Sequence, residues 1–239
     1  MNSFAVNTLR RSGHFVLSVA LVLTTVLSPS RTCHAQQLQQ GISVQLAVTS
    51  SAAPMPDADK GDALIVSVTD DGSFYFGISP VTPADLAEKL ERTPSHQDKE
   101  VYIKADARTP YANVIKILEA AHTAGVTTPI LLTTQAEPSQ PGSMVSPKGL
   151  EVLVVPPSGS QSTVVQVIDS GQPVPTLRIN NRQIPWANLQ SMLTQLFQNR
   201  PEKVVLVKAD GHLPFADLVH VIDTCHSAGA KVVLATTGL

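Results

Sequence analysis

Two short stretches of the chain carry charged side chains at matched spacing, VYIKADARTPY at 101–111 and VLVKADGHLPF at 205–215. In each, a Lys and an Asp close an apolar run, Lys104 with Asp106 and Lys208 with Asp210. Such pairs suit a charged rim that contacts a partner. An Asp just ahead of a helix start also suits a turn, where its carboxylate accepts backbone N–H bonds. Neither use is catalytic. No Gly-rich phosphate loop, GxSxG elbow or paired-carboxylate constellation accompanies them. Asp70-Asp71-Gly72 reads as a turn, because the next positions of a calcium loop would be apolar here. The histidines His122, His212, His220 and His226 stand in no HExxH or CxxC spacing, so no metal site is expected. Trp186, beside Pro185 in a first helical turn, is a candidate surface for stacking on sugar or peptide. Tyr111 and Phe215 read as core aromatics. The residue types point to a non-enzymatic protein without a cofactor, with Lys104, Asp106, Lys208, Asp210 and Trp186 as its candidate partner contacts.

These residues sit in a duplication. From Lys104 to Gly125 the second copy follows at a constant offset of 104 residues, and both copies end in His, a small residue, Ala and Gly. A period this long argues for a doubled domain rather than a solenoid, whose units run to about 20–50 residues. The expected domains are 42–135 and 149–239, joined by a Pro/Ser/Gly linker at 136–148. The 239 residues are 43% hydrophobic, 15% charged and 4% aromatic, so the cores must be built from Val, Leu, Ile and Ala. The net charge is −2 and no Lys/Arg patch interleaves with aromatics, which excludes a nucleic-acid partner. Two cysteines, Cys33 and Cys225, cannot make a disulfide framework. Cys225 falls at a helical position and reads as a buried small hydrophobe.

Positioning these side chains requires the same elements twice. Ile42–Val48 alternates as a short edge strand. Leu64–Thr69 and Ser73–Phe76 flank Asp70-Asp71-Gly72 as a hairpin. Thr82-Pro83-Ala84-Asp85 opens a helix to about Arg92, with Thr82 as N-cap. Glu100–Ala105 is a strand, Tyr111–Ala124 a helix of period 3.6, and Ile130–Thr133 a strand. The second copy repeats this with strands at Leu150–Val155, Thr163–Ile168 and Leu177–Asn180, and a helix from Ile184-Pro185-Trp186 to Phe197. A strand at Val204–Lys208, a helix at Phe215–Ala228 and a strand at Lys231–Thr236 complete it. The expected fold is α+β: two tandem two-layer ββαβαβ sandwiches, each with two helices on one face of a mixed sheet.

The N-terminus carries Arg10-Arg11, an apolar run from Phe15 to Leu27, and small residues at Cys33 and Ala35 ahead of Gln36. These are the marks of a secretory signal peptide over residues 1–35. The run is shorter than the roughly 20 residues of a membrane-spanning helix. The two readings are a cleaved signal and an uncleaved weak anchor.

The pattern apolar-x-Lys-Ala-Asp-x-x-x-Pro-aromatic, with its helix ending in Ala-Gly, resembles the periplasmic domain of the ExbD/TolR family of biopolymer transport proteins. The matching residues are Ile103-Lys104-Ala105-Asp106 with Pro110-Tyr111, and Val207-Lys208-Ala209-Asp210 with Pro214-Phe215. The resemblance implies periplasmic localisation and partners among envelope proteins or peptides of a TonB/Tol-like system, with peptidoglycan as a further contact. It also implies pairing of two such domains. Here a short linker holds both copies at an effective concentration on the order of millimolar, so an intramolecular pseudo-dimer is expected. The family's motor subunits carry a proton-bearing Asp in a membrane helix, and Phe15–Leu27 contains no acidic residue. The expected role is therefore recognition, or an accessory part in energy-coupled transport, with β-augmentation at an edge strand as the mechanism. The alternative is a periplasmic small-molecule or cell-wall binding module unrelated to transport.

Overall fold

The computed structural model describes residues 41–93, 100–135, 147–155 and 162–236. The leader, its apolar run and most of the linker lie outside the described residues. Among the described residues the chain forms a mixed α+β structure with two mixed sheets and four helices. In the first copy, β1 (Ala53–Pro54) and a 3-10 turn (Pro56–Asp59) precede β2 (Leu64–Val68), β3 (Phe74–Phe76) and β4 (Ser79–Val81). Helix α1 (Pro83–Arg92), β5 (Val101–Ala105), α2 (Tyr111–Thr123) and β6 (Ile130–Thr133) follow. After the linker come β7 (Lys148–Glu151), β8 (Thr163–Ile168), β9 (Thr176–Ile179) and β10 (Arg182–Ile184). A 3-10 turn (Trp186–Asn188), α3 (Leu189–Phe197), β11 (Val204–Ala209), α4 (Phe215–Ser227) and β12 (Lys231–Leu234) complete the chain. Among the described residues no helix is long and apolar enough to cross a membrane.

Local chemistry accounts for the elements that the sequence makes plain. Thr82 caps α1: its hydroxyl accepts the Asp85 N–H at 3.2 Å, and the Asp85 carboxylate accepts the Thr82 N–H at 3.4 Å. This reciprocal box satisfies two of the donors that every helix start leaves open. Pro83 follows at the first helical position, where its missing N–H costs nothing. Leu86 and Leu90, four apart, are fully buried.

Five strands follow the same order in both sheets, β6-β5-β2-β3-β4 in the first and β12-β11-β8-β9-β10 in the second. In these five, β6-β5-β2 and β12-β11-β8 run parallel, and β3, β4, β9 and β10 add antiparallel. The sheets exceed the expected four strands for two reasons. Each copy has a short third strand, β4 and β10, that the sequence conceals. In β4 the central residue is Pro80, which ordinarily argues against a strand and is tolerated here because β4 is an edge. In β10 the signal is the preceding Asn180-Asn181, which holds φ of 46° and 69° and makes a two-residue hairpin turn.

The first sheet also gains β7 and β1. The stretch Leu150–Val155 does not begin the second sheet as an ordinary strand. Its start pairs antiparallel with β6, Leu150 opposite Leu131, and only Leu153 reaches the second sheet, as a parallel bridge to Val233. An alternating apolar run fits either edge, and its period does not say which. Ile42–Val48 likewise contributes a single bridge, Val48 to Thr134, instead of a full strand.

The helix-facing sides of the two sheets belong to one hydrophobic cluster that runs through both copies, including Leu86, Tyr111 and Leu118 from the first and Leu193, Phe215 and Leu218 from the second. The loops ahead of α2 and α4 meet in this region. Neither helix has a side-chain cap; the capping positions are Pro110 and Pro214. The open donors are met across the copies. Tyr111 N–H donates to the Leu213 carbonyl at 2.8 Å and Ala112 N–H to that of Gly211 at 2.9 Å. Reciprocally, Phe215 N–H donates to Thr109 and Ala216 N–H to Ala107, both at 2.9 Å. Between them Pro110 and Pro214 form an antiparallel bridge. They occupy the pair that makes no bond of its own, so two residues without N–H fit there. Gly211 is placed by this contact: a Cβ on it would stand 3.1 Å from the Ala112 Cβ.

A second tie joins the segment before β1 to α4. The Asp223 carboxylate, 6% exposed, accepts the Ser50 N–H at 2.9 Å and the Ser51 N–H at 2.8 Å, together with both hydroxyls. Burial raises this carboxyl's pKa, but the four donors outweigh burial and hold it below its ordinary value.

Two outcomes follow from these ties. Gly211→Val should lower stability by about 1–3 kcal/mol through overpacking against Ala112, read as a lower urea midpoint at unchanged slope. Asp223→Ala should cost about 2–3 kcal/mol, because two backbone donors lose a charged partner. Asp223→Asn should recover part of that loss in the same measurement.

Candidate recognition site

Alternation along each strand gives every sheet an outer face opposite the helices. On the first sheet that face is Ile65 and Ser67 of β2, Tyr102 and Lys104 of β5, and Ile130 and Leu132 of β6, all at 3% exposure or less. It is covered by the chain's own residues 41–63. Ala58, with Leu46, Met55 and Ala63, packs on Ile65, Tyr102, Ile130 and Leu132. Gly41 lies so close that a Cβ there would be 3.1 Å from Ile65 and 3.2 Å from the Ser67 hydroxyl.

Lys104 is 3% exposed beneath this cover. Burial lowers its pKa, and the nearby Asp59 carboxylate counters the shift. Asp59 mirrors this: burial raises its pKa and Lys104 opposes the rise. Sequence reasoning missed Asp59 as the counter-charge, since 45 residues of chain separate it from Lys104 and no local pattern links them.

Lys208 holds the equivalent position on β11. It registers with Gln166 as Lys104 registers with Ser67. Here the outer face is only half-buried, at Val164, Gln166, Leu206 and Lys208 alike. Lys104 and Lys208 thus share one register but not one environment.

Asp106 and Asp210 end their strands and accept backbone donors from different segments. Asp106 accepts the Gln45 N–H at 3.0 Å and the Arg108 N–H at 3.0 Å. It also accepts the Arg108 guanidinium through Nε at 2.9 Å and Nη2 at 3.1 Å. Asp210 accepts the Asp169 N–H at 2.9 Å, and His212 stands where the first copy has Arg108. The Arg108 hydrogen bonds, joined by the Gln45 N–H and opposed by burial, hold the Asp106 carboxyl down at about 2.

Trp186 lies on the other side of the second sheet from Lys208, packed against the helix-side core. Its indole Nε1–H donates to the Pro175 carbonyl at 2.7 Å, and its ring stacks on His220 at 5.6 Å with 20° between planes. The structure therefore does not gather the five candidate residues into one site. Lys208 and Asp210 sit together at one end of β11, while Lys104, Asp106 and Trp186 lie elsewhere. His226 bonds the Glu151 carbonyl at 2.9 Å, and Cys225 is buried with its thiol pushed up to about 12 by burial. Among the described residues no group of His, Cys, Asp or Glu could hold a metal ion.

The Asp106 environment sets a pH dependence. Its folded pKa lies below the unfolded value of about 4, so its contribution is complete above that value and is lost as pH falls from about 4 toward 2. Asp106→Asn should flatten the fall in urea midpoint over that window and leave the midpoint lower at pH 7.

The family described as Biopolymer transport protein ExbD/TolR matches the chain twice, over residues 15–136 and 139–238. The two matches correspond to the two copies of the repeat and together span most of the sequence. No curated protein matches the chain. On these matches the chain belongs to the ExbD/TolR family of biopolymer transport proteins.

Proposed function

We propose that this protein is a non-enzymatic recognition or accessory component of energy-coupled biopolymer transport, working outside the cytoplasm with partners of a TonB/Tol-like system. Family membership supports the transport role. The apolar run Phe15–Leu27 has no acidic residue, so it lacks the ionisable group that proton coupling through lipid requires. Residues 1–35 export or tether the chain to the periplasmic side of the membrane. The units 42–135 and 149–239 then act as an intramolecular pseudo-dimer. The four reciprocal backbone bonds between the loops at 107–112 and 211–216 support that pairing.

The observation that carries the recognition reading is the edge strand β10. Among the described residues it has one neighbour, β9, and it contains no proline, unlike β4. In a two-residue hairpin the pair next to the turn, Ile179 and Arg182, exchanges both hydrogen bonds. The next residue, Gln183, therefore turns its N–H and C=O away from β9 and offers them to an incoming strand. Trp186, directly after β10, would flank the partner, whereas Lys208 and Asp210, three strands away on β11, would contact only a part of it that extends across the sheet.

Titration with extended peptides from a TonB-type partner tests this reading. Gln183→Pro removes the outward donor without breaking the ladder to β9, so affinity should fall at least about tenfold while the thermal midpoint stays within a degree or two. Undiminished peptide binding would reject edge capture. Stabilisation by small metabolites alone would favour a small-molecule binding module.

A further inference from the structure

The two copies present the same outer face in two states, and the first shows what the second lacks. On the first sheet, residues 41–63 of the chain close the face completely. The cover has a definite chemistry: apolar side chains, Met55 and Ala58, on the apolar positions, and the Asp59 carboxylate within electrostatic reach of Lys104. On the second sheet the equivalents of Ile65, Ser67, Tyr102 and Lys104, namely Val164, Gln166, Leu206 and Lys208, stand half-buried, while Val233 beside Leu206 is buried next to Leu153.

Register makes that second face specific. Arg178, Gln166 and Lys208 form one row across β9, β8 and β11. An apolar row, Val164 with Leu206, lies on one side, and Ile168 lies on the other. None of these residues is acidic. The Gln166 Oε1 atom is buried without a hydrogen-bond partner, an acceptor that an occupant's N–H would satisfy. Among the described residues Lys208 makes no salt bridge, whereas its counterpart Lys104 has Asp59 beside it.

We infer that the outer face of the second sheet docks an acidic, apolar-flanked segment of a partner protein, with the chemistry that Met55–Asp59 supplies to the first sheet. The carboxylate of that segment sits on the Lys208–Arg178 row, and its apolar side chains cover Val164, Leu206 and Ile168. The first copy is closed by its own chain and is unavailable, so one polypeptide offers one such face. The surface is distinct from the β10 edge, and the inference does not depend on edge capture.

The test uses the full chain and a capped synthetic peptide of residues 53–63, APMPDADKGDA. Binding should shift the amide resonances of Val164, Gln166 and Leu206 and be unaffected by Gln183→Pro. Lys208→Glu should weaken it at least tenfold, and the milder Lys208→Gln, a safeguard should the reversal perturb folding, several-fold. A peptide carrying Asp57→Lys and Asp59→Lys should fail on the native chain and regain binding to the Lys208→Glu variant. Three results would overturn the inference: no binding at millimolar peptide, shifts confined to the helices or the β10 edge, or affinity indifferent to charge reversal.

Discussion

The structure turns on an accounting problem at two helix starts. Every α-helix opens with N–H groups that have no partner within the helix. Helix α1 solves this locally, with Thr82 and Asp85. Helices α2 and α4 have proline in the capping position and no side chain to help. The first two donors of each are satisfied by carbonyls of the opposite copy, and the third by the helix's own Pro110 or Pro214. An unmet buried donor costs about 1–3 kcal/mol, so bringing the two loops together away from water requires this exchange. The duplication is thus expressed as an exchange of backbone bonds, and the shared hydrophobic cluster follows from holding the two loops together.

Exchange is symmetric, but the chain around it is not. The first sheet recruits β7 and β1 on one edge and is covered by residues 41–63 on its outer face. Among the described residues the second sheet has neither addition, and the segment ahead of β8 bridges to it at Leu153. Between Leu64 and Val101 in one copy and Thr163 and Val205 in the other the strand pairing is the same. What differs is the segment ahead of the first paired strand, which is longer in the first copy. Asymmetry of cover, more than of fold, distinguishes the two closely related halves of this ExbD/TolR-family chain.

Burial of a lysine illustrates the consequence. In the first copy a cation sits under a lid of chain, with its charge opposed by a nearby carboxylate and its pKa drawn down by the loss of water. Such a group is a structural commitment, because a cation held away from water depends on the charges and acceptors packed around it. In the second copy the same residue type at the same register keeps partial access to water. A surface with this composition resembles the interior of its twin before closure.

Much of this was legible from residue order, wherever the determinants are close in sequence. The 104-residue offset announced the duplication, Asp70-Asp71-Gly72 the hairpin, Thr82-Pro83 with Asp85 the helix start, and period 3.6 the buried face of Tyr111–Thr123. The sequence alone determined these, because turns, caps and periodicities act over a few residues. Tertiary structure alone decided that Pro110 and Pro214 face each other, that Lys148–Glu151 pairs with β6, that Asp223 gathers Ser50 and Ser51, and that Asp59 lies by Lys104. Those partners lie from 15 to more than 170 residues apart, and an alternating apolar strand or a lone carboxylate is compatible with several edges and several donors. Only the packing of the whole chain selects among them.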